Sequence, residues 1–172
     1  MSLNEVYDKA KRLTDLGNFA SAVSATVPLT NAMGVTYSAY DGLNLRLDAP
    51  IELNVNDKNT GFGGSIVSLA TLAGWSLLSL VAHEESENNI IFIGESKVRY
   101  LAPALGDFHA LASLKEEQKQ HILGAIKCNK ATKIELFIDV FNESQCVATF
   151  TGTYFIKPDN DHIGLIKHKN LQ

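Results

Sequence analysis

The chain has 172 residues, 45% of them hydrophobic and 20% charged, with a formal net charge of -4. That balance predicts a single globular domain over 1–172 with a core of its own. The lack of any basic stripe argues against a nucleic-acid surface. The two cysteines, Cys128 and Cys146, are too few for a disulfide framework or a cysteine zinc site. His83, His109, His121, His162 and His168 show no metal-ligand spacing, so no metal is expected.

Ser2 with Glu5 reads as a capping box. Leu3, Val6, Tyr7, Ala10 and Leu13 follow at helical spacing, and Gly17 is placed to close a helix over 1–17. The opening residues lack an apolar signal core, which predicts a cytoplasmic protein. Pro28 and the stretch 30–34 mark a bend. Strands are expected over 35–40 and 43–47, joined by Asp41-Gly42, a pair suited to a tight hairpin turn with positive φ at both positions. Pro50 ends the pair. A polar, turn-rich stretch over 54–59 leads through the run TGFGGS into a long apolar helix over 65–82.

Between Asn59 and Ala82 there is no charged residue, a length that could span a bilayer. The glycines and serines inside the run, and flanks without Lys/Arg clusters or aromatic belts, favour the buried centre of a soluble domain instead, with no membrane partner. On a helical wheel Ser65, Ser68, Ser76 and Ser79 share one side, expected to face a subunit partner or a wet cleft. Ala70 and Gly74 lie opposite, where a sheet could approach closely.

A long strand is expected over 89–101, with Gly94 marking a bulge. Pro103 and Gly106 turn the chain into a strand over 108–114. Ser113 with Glu116 reads as a second capping box, opening a helix that reaches Lys127 with acids early and lysines late. Over 133–141 apolar Ile134, Leu136, Ile138 and Val140 alternate with polar positions. Asn142-Glu143-Ser144 turns this strand into a last one over 146–156, and the tail 157–172 is polar. Strands in runs, with one helix apolar all round, indicate an α+β fold in which an antiparallel sheet curves around that helix.

Three segments carry a resemblance: VPLTNAMGV at 27–35, NVNDKNTGFGGSIVSLATLAGW at 54–75 and SKVRYLAPALGD at 96–107. With their spacing, over residues 20–156, they resemble the thioesterase family of hot-dog fold that occurs alone or at the C-terminus of YiiD-type acetyltransferases. The resemblance implies homodimers, often dimers of dimers, with an acyl thioester lying between subunits and its pantetheine arm in a channel. It implies that the Gly-Gly turn sits beside the thioester carbonyl. No separate cofactor is expected, since coenzyme A or phosphopantetheine arrives as part of the substrate.

Hydrolysing a thioester builds negative charge on the carbonyl oxygen. Backbone amides at a helix N-terminus suit that charge, which makes Gly63 and Gly64 the candidate oxyanion site, although glycines also suit a tight turn into a crowded helix. The related enzymes often carry His-Gly-Gly with an acid further along the helix. Phe62 stands in place of that histidine, and Thr71 falls where the acid would be. A threonine hydroxyl without a partner is no general base, but it can hold a water or bond back to its own helix. The resemblance places Asn56 near the reacting carbonyl. Asp57, the only acid in the preceding loop, is a candidate base, or simply a turn residue. Thr60, Phe62 and Ser65 are expected to line the substrate's approach. Arg99 and Tyr100, with Lys97, could grip the phosphates or adenine of coenzyme A, or form a solvated strand face with Glu95.

The expected activity is therefore acyl-thioester hydrolysis on coenzyme A or a carrier protein. A dehydratase of the same fold would need a histidine near the Gly-Gly turn, and none is near. The other alternative is a non-catalytic domain that binds acyl-CoA or an acyl carrier, consistent with Thr71 in the acid's place.

Overall fold

The computed structural model describes residues 16–86 and 88–159. The expected Ser2–Glu5 capping box, most of the helix over 1–17 and the tail beyond residue 159 lie outside the described residues. Gly17 does not close a helix: residues 16–26 are helical through it (α1). A glycine inside a helix costs about 1 kcal/mol. Burying Leu16 and Val23 on one face of α1 outweighs that, at roughly 1.5–3 kcal/mol each. Phe19, on the same face, lies 5.9 Å from both the Tyr37 and Trp75 rings.

After α1 come a short helix α2 (Pro28–Ala32), β1 (Thr36–Tyr40), β2 (Asn44–Ala49) and a single 3-10 turn over Ile51–Leu53. The long helix α3 (Gly63–His83), β3 (Asn89–Tyr100), β4 (Phe108–Ser113), α4 (Glu116–Lys127), β5 (Thr132–Asn142) and β6 (Gln145–Pro158) complete the chain. The six strands form one sheet in the order β1-β2-β4-β5-β6-β3, every neighbouring pair antiparallel. The sheet packs on α3 from β2 through β6. This is the hot-dog fold that the sequence pattern predicts.

The core follows from two periodicities. In β5 every second residue from Ile134 to Val140 is buried, as the alternation requires. α3 is long and apolar enough to cross a membrane, yet Ile66, Leu69, Ala73, Leu77, Leu80 and further residues around it are buried within the fold. Gly74 gives the closest approach. A Cβ there would lie 2.3 Å from the Tyr154 hydroxyl oxygen, and Tyr154, fully buried, donates that hydroxyl to the Thr71 carbonyl at 3.0 Å.

Four local expectations are corrected. The β1–β2 loop is wider than a two-residue turn, and only Gly42 has positive φ. The Asp41 carboxylate accepts from the Leu43 and Asn44 amides at 2.9 and 2.7 Å and so closes the loop without a left-handed residue at 41. The α4 cap falls at Lys115, whose amide donates to the Gln118 side chain at 2.9 Å. Ser113 is still paired with Asn44 in the β2–β4 ladder and Leu114 after it is buried, so the cap falls two residues past the expected one. α3 begins at Gly63 rather than residue 65. Its serine side does not stay open along its length: Ser76 is fully buried and bonded to the Tyr37 hydroxyl at 2.9 Å, because the sheet brings β1 round to that side. Ser79 bonds back to the Trp75 carbonyl.

The bulge at Gly94 is present, between Ile93 and Glu95 in the β3–β6 register. Ile91 and Ile93 pair with the buried Ile156 and Tyr154. Beyond the bulge it is Val98 and Tyr100 that share this inner face, opposite Phe150 and Ala148. Glu95, Lys97 and Arg99 occupy the outer face, opposite Thr153, Thr151 and Thr149.

Candidate active site

The entry to α3 is clamped by backbone bonds on both sides. Gly61 donates to the Ala104 carbonyl at 2.8 Å and Phe62 to the Asn54 carbonyl at 2.7 Å. Asn54 is buried, and its carboxamide nitrogen donates to the Met33 and Pro50 carbonyls, both at 2.8 Å. The segment after β3 is held in turn. The Leu105 amide donates to the Asn142 side chain at 3.1 Å, Asn142 donates to the Asp107 carbonyl at 2.9 Å, and the Asp107 carboxylate accepts from the Ile51 amide at 2.8 Å. Two chain segments, 54–62 and 101–107, are thus fastened together where the helix starts.

Between them opens a cleft of about 520 Å³, lined by Gly61, Gly63, Gly64, Ile66 and Tyr100 with residues 101–104. The first intrahelical bond of α3 runs from Ile66 N–H to Phe62 O. The amides of Gly63, Gly64 and Ser65 precede it, so they are first-turn donors with no acceptor inside the helix. They stand at the positive end of a 21-residue helix, a place that favours an oxyanion. Two aromatic side chains flank the pair. Tyr100 donates its hydroxyl to the Gly63 carbonyl at 3.0 Å. The Phe62 ring covers Gly64 so closely that a Cβ there would lie 2.4 Å from a ring carbon.

The structure brings Gly63, Gly64, Phe62 and Tyr100 together, with Ser65 next in the same helical turn; the other candidates stand apart. Asn56 is occupied in its own loop: its Oδ1 accepts from the Lys58 and Thr60 amides at 2.9 and 3.2 Å, and its Nδ2 donates to the Thr60 hydroxyl at 3.0 Å. Thr60 is therefore its partner in closing the loop. Asp57 is exposed on that loop. Ser65 is half-buried in the first turn of α3. Thr71 lies two turns beyond Gly64, about 10 Å along the axis at ~1.5 Å per residue, and its carbonyl takes the Tyr154 bond. Arg99 and Lys97 are exposed on the outer sheet face, turned away from Tyr100. Trp75 is a packing residue: its indole donates to the Ile91 carbonyl at 3.1 Å.

Sequence reasoning missed the frame. Asn54 reads as one more turn asparagine, and nothing in the sequence separates it from Asn56 or Asn59. Asp107 and Asn142 lie in loops distant in sequence, and only the fold makes them neighbours. Among the described residues no group of three His, Cys, Asp or Glu is placed to hold a metal ion.

A curved antiparallel sheet around a helix that starts on a glycine pair beside an apolar cleft defines a hot-dog domain of the thioesterase type. The chain belongs to the putative thioesterase family yiiD_Cterm, whose model matches residues 16–158. A putative thioesterase from Shewanella oneidensis is similar at 24% identity, covering 83% of this chain and 97% of that chain, with a TM-score of 0.77. A protein of unknown function from Chlorobaculum tepidum is 28% identical over 83% of this chain and 93% of its own, with a TM-score of 0.76. A thioesterase from Haemophilus influenzae shares the fold at 17% identity, over 86% and 94%, with a TM-score of 0.68.

Proposed function

We propose that the protein hydrolyses acyl thioesters of coenzyme A or of a phosphopantetheine carrier. The observation that carries this reading is the pair of free amides at Gly63 and Gly64, set at a helix N-terminus and opening into an apolar cleft. The thioester carbonyl oxygen sits on these amides, water attacks the carbon, and the developing charge is stabilised by donors already in place. The C–S bond then breaks, the thiolate leaves with a proton from the attacking water, and the acyl group departs as its acid. The apolar lining suits an uncharged acyl group or the pantetheine arm.

The partner is a second copy of the chain. Val55, Phe62, Tyr100, Leu101 and Leu105 are exposed large apolar side chains around the cleft or on the segments that frame it, and an exposed patch of that kind suits a subunit interface. A homodimer, or a dimer of dimers, would cover it and close the cleft from water.

One observation favours a second reading. Among the residues lining the cleft, Tyr100 is the only titratable one. A domain that binds acyl thioesters without cleaving them would need no more. Release of free thiol from a panel of acyl-CoAs and an acyl-carrier protein separates the two readings. Wild type is assayed beside Asp57→Asn and Thr71→Ala, with calorimetric binding in parallel. Turnover establishes the hydrolase, and its loss in one variant assigns the group that handles water. Tight binding with no turnover on either substrate class would replace the hydrolase with the binding domain.

A further inference from the structure

We infer that Tyr100 is a positioning residue for the oxyanion site, acting through the peptide that joins Gly63 to Gly64. The inference rests on the hydrolase reading and assigns that site a part it would otherwise lack.

The Gly63 carbonyl and the Gly64 N–H belong to one peptide unit. In a trans peptide these two groups point in opposite directions across a rigid plane, so whatever fixes one fixes the other. In α3 the Gly63 carbonyl already faces down the helix toward the amide of Val67, four residues on. Tyr100 adds a second donor to that oxygen at 3.0 Å. The bond holds the plane at its carbonyl end, opposite the Gly64 N–H, and draws electron density toward the oxygen. Hydrogen bonds in a chain polarise one another, so the Gly64 N–H becomes a stronger donor.

Stability gives little reason for this contact. Tyr100 is 54% exposed, and a hydroxyl bond at the surface replaces one to water at small net gain. Its placement is nonetheless specific. It is the last residue of β3, held opposite Ala148, and the two following amides both donate to the Val147 carbonyl. The fit at Gly63 is close as well: a Cβ there would lie 3.1 Å from the Tyr100 hydroxyl oxygen and 3.3 Å from Cζ, so a side chain at residue 63 would push the phenol away. Gly63 is thus small for the tyrosine's sake, whereas it is the Phe62 ring that meets the Cβ position of Gly64.

Tyr100→Phe removes the hydroxyl and keeps the ring. Two readouts are taken: steady-state kinetics on the best acyl-CoA, and the amide 15N and 1H shifts of Gly64 and Gly152. The expected result is a kcat lower by roughly 5- to 30-fold with KM within about twofold, short of the ~100-fold or more that losing a donor itself costs. The Gly64 amide should shift while Gly152, in β6, stays. An unchanged kcat, or a Gly64 resonance that does not move, overturns the inference. So does a Gly152 shift as large as that of Gly64, which would mark a general structural effect. If wild type hydrolyses no thioester, the hydrolase reading falls separately. The inference is then decided by a non-hydrolysable acyl-CoA ketone analogue. A Gly64 amide shift on binding that is present in wild type and reduced in Tyr100→Phe keeps it. Equal shifts, or none, refute it.

Discussion

Two glycines of the same helix, Gly64 and Gly74, offer a matched test. A Cβ on Gly64 would meet the Phe62 ring at 2.4 Å, and one on Gly74 would meet the Tyr154 hydroxyl at 2.3 Å. On distance alone the two alanine variants are equally bad, but the neighbours differ. Phe62 is 54% exposed at the helix N-cap, and its ring can swing into solvent. Tyr154 is fully buried, bonded to the Thr71 carbonyl, and crowded also by Gly152, whose own Cβ would lie 2.6 Å from the ring. It has nowhere to go. Overpacking a core costs about 1–3 kcal/mol, and displacing the hydroxyl bond adds about 1 kcal/mol; the better helix propensity of alanine returns about 1 kcal/mol. Gly74→Ala should therefore lose about 1–3 kcal/mol, or about 2–12 °C in Tm at ~2–4 °C per kcal/mol. Gly64→Ala should stay within about 1 kcal/mol of wild type, yet its methyl would crowd the amide that the carbonyl needs, so kcat/KM should fall by ~100-fold or more. Thermal unfolding followed by circular dichroism, with thiol release on the same samples, reads both. A Gly64→Ala protein with wild-type turnover would show that no carbonyl approaches that amide. A Gly74→Ala protein as stable as wild type would show that Tyr154 is not confined.

Further outcomes follow from the loop, the core and the outer sheet face. Asn56→Ala should lower Tm and kcat/KM together, because it frees the 56–60 loop, whereas Asn56→Asp keeps the acceptor for the Lys58 and Thr60 amides and should hold Tm near wild type. A loss of kcat in Asn56→Ala with Tm unchanged would instead mean that the carboxamide works on the substrate. Tyr154→Phe should cost about 1 kcal/mol by urea titration, the worth of one buried hydroxyl bond. His109 stands opposite Asp48 in the β2–β4 ladder and stacks on Phe141; burial, then the nearby Arg46, lowers its pKa from the ordinary 6.5. Burial would raise the Asp48 carboxyl, but bonds from Arg46 and Ser38 outweigh it and hold it below 3.8. Both groups bind fewer protons folded than unfolded, so stability should fall as pH drops through 6.5 and again below 3.8. The urea midpoint of His109→Gln should lose the fall that begins at 6.5 and keep the one below 3.8, and an unchanged slope just below 6.5 would reject the assignment.

The fold was largely legible because its signals are local and periodic. Alternation placed β5, an unbroken apolar run placed α3, and a glycine inside a strand pattern placed the bulge. Caps were less legible, since Ser113 satisfies the capping-box spacing while tertiary pairing keeps it in β4. The site divided along the same line. Gly63 and Gly64 could be read because a helix start and a glycine pair lie next to each other in sequence. Arg99 and Tyr100 are neighbours in sequence but lie on opposite faces of β3, and the bonds that fix the site, from Asn54, Asp107, Asn142 and Tyr100, join segments far apart in the chain.

The single extra residue at Gly94 sets the parity of everything after it in β3. Were Gly94 paired in register instead of bulged out, counting by twos from Ile91 and Ile93 would put Glu95, Lys97 and Arg99 inward, and Tyr100 would point to solvent. A Cβ there would lie 2.4 Å from the Phe155 ring, which a larger residue would have to displace. Pairing that one residue into the ladder would not shorten the site but rewrite it, exchanging a phenol beside the Gly63 carbonyl for a guanidinium; deleting it would remove the bulge and leave the tyrosine in place. The chemical character of the cleft is thus encoded in a count rather than in a side chain, six residues before the tyrosine that reads it out.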